Sequence, residues 1–299
     1  AAFGIQAVSA STIANSGTII VGNGGIGISG GIATTVVNSG SIMAGNDGIG
    51  MRSAGNLTNT GSIAVGSASG TGPAAMLAVG DGLQSSNSGT IVTGSSMVAM
   101  SGSGNGMTLL NSGTVDVGSG ATALTVSGAN AILRNDGTIG VGAGGIGLTA
   151  QGANAGLTNA GTIIAGVGGT GIAAPSAGTA ITNSGSIATC GIGIDASRGN
   201  GTSVTNSGSI AGNGCAATGV NLGPGTALTN SGTIASAVAL ASGAGGSASI
   251  VNTGTIDGAL AIGGTGGNML VNGGTIGVIA PITPGGGVAH FVDGTFTQT

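Results

Sequence analysis

Leu228-Thr229-Asn230-Ser231-Gly232-Thr233-Ile234 decides the fold, because its pattern returns along the whole chain. Asn-x-Gly-[Ser/Thr]-[Ile/Val] occurs twelve times, at Asn15, Asn38, Asn59, Asn87, Asn111, Asn135, Asn159, Asn183, Asn206, Asn230, Asn252 and Asn272. The steps between these Asn are 23, 21, 28, 24, 24, 24, 24, 23, 24, 22 and 20 residues. A degenerate thirteenth copy, Val292-Asp293-Gly294-Thr295-Phe296, follows 20 residues later. Repetition at this period is the mark of a solenoid and overrides a domain count based on length.

Each repeat carries three short apolar pieces. The first ends at the Asn, with an apolar residue two positions before it in every repeat except the one holding Ser85. The second has Ile or Val four positions after the Asn, from Ile19 to Ile276. The third reads like Ile49-Gly50-Met51 or Val238-Ala239-Leu240. Apolar residues alternate with small or polar ones, the period of a strand with one buried face. Gly, Ser and Asn between the pieces supply the turns.

Three strands and three turns in about 24 residues predict one coil of a right-handed parallel β-helix, an all-β solenoid of about 12–13 coils occupying residues 1–299 as one domain. A hairpin meander would not require the same residues at a fixed step, whereas stacking like on like does. The Asn are expected at an inward corner, where their amides bond along the stack as in cross-β ladders. The Ser/Thr three positions after each Asn then point outward. The coil after Asn59 is 28 residues long and holds Pro73, Leu83 and Ser85, which predicts a bulged loop there.

Composition agrees and excludes much else. Gly supplies 70 of 299 residues, while charged residues make up 3% and aromatics 1%. Long amphipathic helices are excluded by this Gly content and the lack of good helix formers. Three Arg and no Lys cannot build a nucleic-acid interface. No run approaches the apolar length of a membrane span, so no membrane insertion is expected. No signal peptide is recognisable from Ala1, as in a processed chain.

Catalytic chemistry has little to work with, and no enzyme, metal or cofactor is expected. Among the seven Asp, only Asp116 and Asp257 share a column of the repeat, six coils apart. His290 is the single His and has no Cys near it in the repeat. Gly22 to Gly27 matches Gly-x-Gly-x-x-Gly, but at this Gly content the match is expected by chance and no helix follows it. Met residues such as Met51, Met100 and Met107 read as core fillers.

Two features remain. Cys190 and Cys215 fall at similar places in adjacent coils, so they are either a disulfide or a pair of free buried thiols. Phe3, Phe291 and Phe296 are the only aromatics and lie near the two ends of the sequence. They read either as caps over an open core or as an end-to-end interface between molecules.

The segment Leu228–Ile234, with its near copies Leu57–Ile63 and Leu157–Ile163, resembles bacterial surface β-helix proteins, the autotransporter passenger domains and large adhesins. The resemblance implies a secreted protein at a Gram-negative cell surface. The expected function is therefore an extracellular structural subunit whose partner is itself, assembling end to end into a surface filament or biofilm matrix fibre. A monomeric adhesin binding glycans or cells through its edge loops is the alternative, and ice binding by an outward Thr array a third.

Overall fold

A computed structural model describes residues 2–70, 73–242, 247–262, 268–278, 288–291 and 295–298, with backbone alone at 242, 278, 288–291 and 295–298. Every regular element in these residues is a β-strand. The chain winds into a parallel β-solenoid of about 11 complete coils, three strands to a coil. The first two strands of a twelfth and a thirteenth coil follow, at Met269–Asn272 and Thr275–Val278, then Val288–Phe291 and Thr295–Gln298. No third strand follows in either coil among the described residues.

The first strands of all coils, Thr12–Asn15 to Val288–Phe291, form one 13-stranded parallel sheet, the Asn sheet. Its register puts Asn on Asn and the apolar column on itself, as in Leu133↔Leu157 and Asn135↔Asn159. The second strands stack Ile on Ile, as in Ile139↔Ile163. The third strands stack Met51, Met76, Met100, Leu124 and Leu148 in one buried column. In Thr162–Ala173, Ser186–Asp195, Thr233–Ser242 and Thr255–Ile262 the second and third strands run together, which links these two faces into one 21-stranded sheet.

The core is the continuous stack of these inward columns. Ile42, Ile63, Ile91, Ile139, Leu133 and Leu157 are all fully buried. Alternation along each strand decides the facing: Ala180–Asn183 runs exposed, buried, exposed, buried. No single coil buries this surface alone; its neighbours above and below do so.

Three details differ from the expectation. The third strand does not alternate strictly, since Thr122–Val126 has two successive buried residues. Its second position is always Gly or Ala, from Gly27 and Gly50 to Ala99 and Ala123. There the strand turns inward against the second-strand Ile of the next coil: a Cβ on Gly27 would lie 2.5 Å from Ile42 Cγ2 and 2.6 Å from the Gly50 carbonyl oxygen. Second, Ser85 takes the place of Leu between Leu57 and Leu109, buried, with no hydrogen-bond partner for its hydroxyl. Third, the last first-strand slips by one residue. Phe291, not Val292, stands opposite Asn272, while Phe296 keeps the Ile column opposite Ile276.

The long coil after Asn59 loops out between Ser62–Val65 and Ala74–Val79, as its length demands. Asp47 ties this loop down, accepting from the Ser69 amide at 2.7 Å and from its hydroxyl.

Candidate functional site

The repeat Asn build one uninterrupted ladder. Each Nδ2 donates to Oδ1 of the Asn in the following coil at 2.7–2.8 Å, from Asn15 onto Asn38 through to Asn252 onto Asn272. The same Nδ2 reaches the carbonyl two residues on, as Asn135 does to Gly137 O at 3.2 Å. The Asn carbonyl accepts two N–H groups from the next coil's turn: Asn111 O takes Asp136 N at 2.7 Å and Gly137 N at 3.1 Å. From Asn38 to Asn272 these side chains are fully buried. A buried amide is tolerated only when its donors and acceptors are met, and the ladder meets them coil by coil. It also has a direction, because every amide donates toward the C-terminal coil.

The Gly of Asn-x-Gly has a separate cause. A Cβ on Gly137 would run into the carbonyl oxygen of Gly113 one coil away, and the same clash recurs from Gly40 to Gly274. None of these Gly has a left-handed φ. The demand is therefore close approach of stacked backbones, not conformational freedom.

Cys190 and Cys215 are disulfide-bonded across adjacent coils, with Cα atoms 5.2 Å apart and a sequence separation of 25. Cys190 is half-buried and Cys215 exposed, so the pair sits at the surface and not in the core. Closing a loop of this length contributes about 3 kcal/mol in the chain-entropy picture. The expected result of Cys215→Ser is a lower denaturation midpoint, with loss of amide protection concentrated around residues 190–217. In the wild type, thiol titration in denaturant without reductant should find no free Cys; two reactive thiols would overturn the bridge.

Phe3 stands opposite the buried Ile26 on the face built by the third strands and is 40% exposed. It is the first residue of the strand Phe3–Ala7. The backbone register places Phe291 at the end of the Asn column and Phe296 in the Ile column, in coils beyond Asn272 and Ile276. Their side chains and that of His290 lie outside the described residues, as does Asp293.

The Asp are dispersed. Asp116 and Asp257 are exposed on the outside of the face built by the second strands. Asp136 accepts from Arg134 Nε at 2.7 Å in a solvent-exposed pair within one turn. That hydrogen bond, and then the Asp136 charge, raise the pKa of Arg134, so it stays cationic. Arg52 Nε donates to Ser29 Oγ at 3.1 Å. Among the described residues no three His, Cys, Asp or Glu group as metal ligands, and no helix is long and apolar enough to cross a membrane.

A second, shorter polar stack lies in the turns after the second strands. Eight residues after the repeat Asn come Asn23, Asn46, Ser67 and Ser95. Asn23 Oδ1 accepts Asn46 N at 2.9 Å, Asn46 Oδ1 accepts Ser67 N at 3.0 Å, and Ser67 Oγ accepts Ser95 N at 3.1 Å. Its signal is a column of five short polar residues, ending at Ser119, too brief to stand out from the turn composition.

These features define a β-solenoid repeat protein. No family profile matches the chain, and no curated protein or solved structure matches it significantly. The class therefore rests on the register of the chain's own coils, and the resemblance to bacterial surface proteins stands as one of repeat pattern.

Proposed function

We propose that the chain is a non-enzymatic extracellular structural protein, a solenoid rod that joins end to end with copies of itself into a surface filament or matrix fibre. The observation that supports this reading is the sameness of successive coils. From the coil of Asn38 to that of Asn252, each coil offers its neighbour the same three strand edges, the same Asn amide and the same glycine approach, and this coil-to-coil contact is the chemistry we propose recurs between chains. Exposed strand edges are ready templates for pairing. A head-to-tail contact that does not close generates filaments, and the one-way Asn ladder favours that polarity. The surface disulfide fits an oxidising compartment, such as the outside of a cell.

The scarcity of charge fits too. Stacking puts each column's side chains about 4.8 Å apart, so a charged column would repel itself at every step. The experiment is electron microscopy and sedimentation of the purified chain across a wide concentration range. Rods lengthening in steps of about 60 Å, the span of some thirteen coils at strand spacing, are expected. A single monomeric species at the highest concentration would remove the proposal.

A further inference from the structure

A groove runs along the outside of the face built by the third strands, and the observations around it point to a ligand. It encloses about 500 Å³ and crosses five consecutive coils, from Val98 through Thr122 and Thr125, Ile146 and Thr149, and Thr170 and Ala173 to Asp195. Its floor is two outward columns of the sheet, Val98–Thr122–Ile146–Thr170 and Thr125–Thr149–Ala173–Asp195, held in register by the strand pairing. Gln151, Pro175 and Arg198, all exposed at the corner after the third strand, form one wall. A second concavity of about 230 Å³ lies on the same face toward the N terminus, beside Arg52, Leu77 and Val79.

The chemistry of the lining is specific. Four Thr, Thr122, Thr125, Thr149 and Thr170, share the floor with Val98, Ile146 and Ala173. Each hydroxyl both donates and accepts, and between them lie apolar strips. Asp195 spends Oδ1 on the Ser197 amide at 3.1 Å and on Asn221 Nδ2 at 3.3 Å. No hydrogen bond is found to its Oδ2 among the described residues. Arg52 and Arg134 have protein partners, but Arg198 makes no hydrogen bond or ion pair among the described residues. The groove thus carries one cation without a partner and one carboxylate oxygen without one, and the two are not paired with each other.

We infer that this groove binds a linear neutral polysaccharide lying along the solenoid axis. An elongated ligand follows from the length, four coil steps or about 19 Å. A polyol follows from the lining: ring hydroxyls pair with Thr, Gln151, Asp195 and Arg198, and ring C–H faces cover Val98, Ile146 and Ala173. The coil spacing is close to the length of one pyranose unit, so successive sugars meet successive rungs. A peptide strand is disfavoured, because the backbone groups under the floor are already spent in the sheet ladder. A polyanion is disfavoured, because Asp195 cancels Arg198 in the groove and the chain carries a net charge of −4. The inference does not depend on self-assembly, and it locates binding on a sheet face and not in the edge loops.

The test is calorimetric titration of the whole chain with cellohexaose and chitohexaose, beside hexagalacturonate. Binding of a neutral hexasaccharide is expected, weakened at least about tenfold in Thr125→Val/Thr149→Val, since each lost hydroxyl leaves a sugar group unpaired. Ala173→Tyr, which fills the groove from an outward position, should abolish it. Unchanged thermal unfolding of both variants shows that the fold is intact. A lack of binding by both neutral sugars, binding confined to the uronate, or binding that survives Ala173→Tyr would each overturn the inference.

Discussion

Asn159→Ala should destabilise the chain by about 2–5 kcal/mol, more than the same change at Asn15. Asn159 is fully buried. It accepts from Asn135 Nδ2 at 2.8 Å and donates to Asn183 Oδ1 at 2.8 Å. Truncation orphans a donor on one side and an acceptor on the other, inside a core closed to water, and each orphan costs about 1–3 kcal/mol. Asn15 donates to Asn38 but receives no amide from another coil among the described residues, so its loss strands one partner. Solenoids are governed by nearest-neighbour terms, so the damage should centre on the coils at Asn135 and Asn183. Denaturant titration with hydrogen exchange reads both the size and the place. Equal cost at Asn15 and Asn159 would mean that the ladder contributes nothing as a ladder.

Asn159→Asp makes the same point through pH. A protonated Asp can accept from Asn135 and donate to Asn183; an ionised one cannot donate. Burial and the facing Asn183 oxygen disfavour the charge, so the folded-state pKa lies above the unfolded value of about 3.9. Below the unfolded value both states are protonated and the variant should approach the wild type. The penalty grows as pH rises and is complete above the folded pKa. A deficit that stays constant between acid and neutral pH would contradict this.

Gly137→Ala is the second large effect, expected at about 3 kcal/mol or more for the addition of one methyl group. The new Cβ would meet the Gly113 carbonyl oxygen. That oxygen cannot simply retreat, because it accepts the Thr138 N–H at 2.9 Å. Relief requires the two coils to separate, which strains the ladder and sheets at the same level, and overpacking of this kind is destabilising. Gly17 is the control. Its nearest obstacle to a Cβ is Asn15 Oδ1 at 3.9 Å. Gly17→Ala should shift the melting temperature little, while Gly137→Ala lowers it by many degrees. Comparable shifts would show that Gly serves here through backbone freedom and not through close approach.

The repeat motif carried much of this in plain view. Asn230, Gly232 and Ile234 recur at a step only stacking explains, and the inward columns follow from alternation alone. The Cys pair was legible as a neighbouring pair, but its place at the surface was not, because residues 213–217 belong to a variable turn. In the sequence, Gly27 and Ala99 are indistinguishable from ordinary small spacers. Their role depends on the strand turning inward against Ile42 and its equivalents, a bend with no period in the sequence. The slip at Phe291 was equally hidden, since the Gly-Thr-Phe that follows keeps the expected 20-residue step.

What the sequence by itself determined is the identity of contacts along the axis: like residue on like, every coil, through hydrogen bonds and steric limits written into one short motif. What only the tertiary structure decided is what happens across and around the coil. It shows which turns carry the disulfide, where the third strand bends, and how Thr149, Asp195 and Arg198, scattered in sequence, come to edge one groove. The physical reason is that stacking is periodic and shows directly in spacing. Curvature of the coil's outer surface comes from how three strand faces meet at corners of unequal length, and no single period records it.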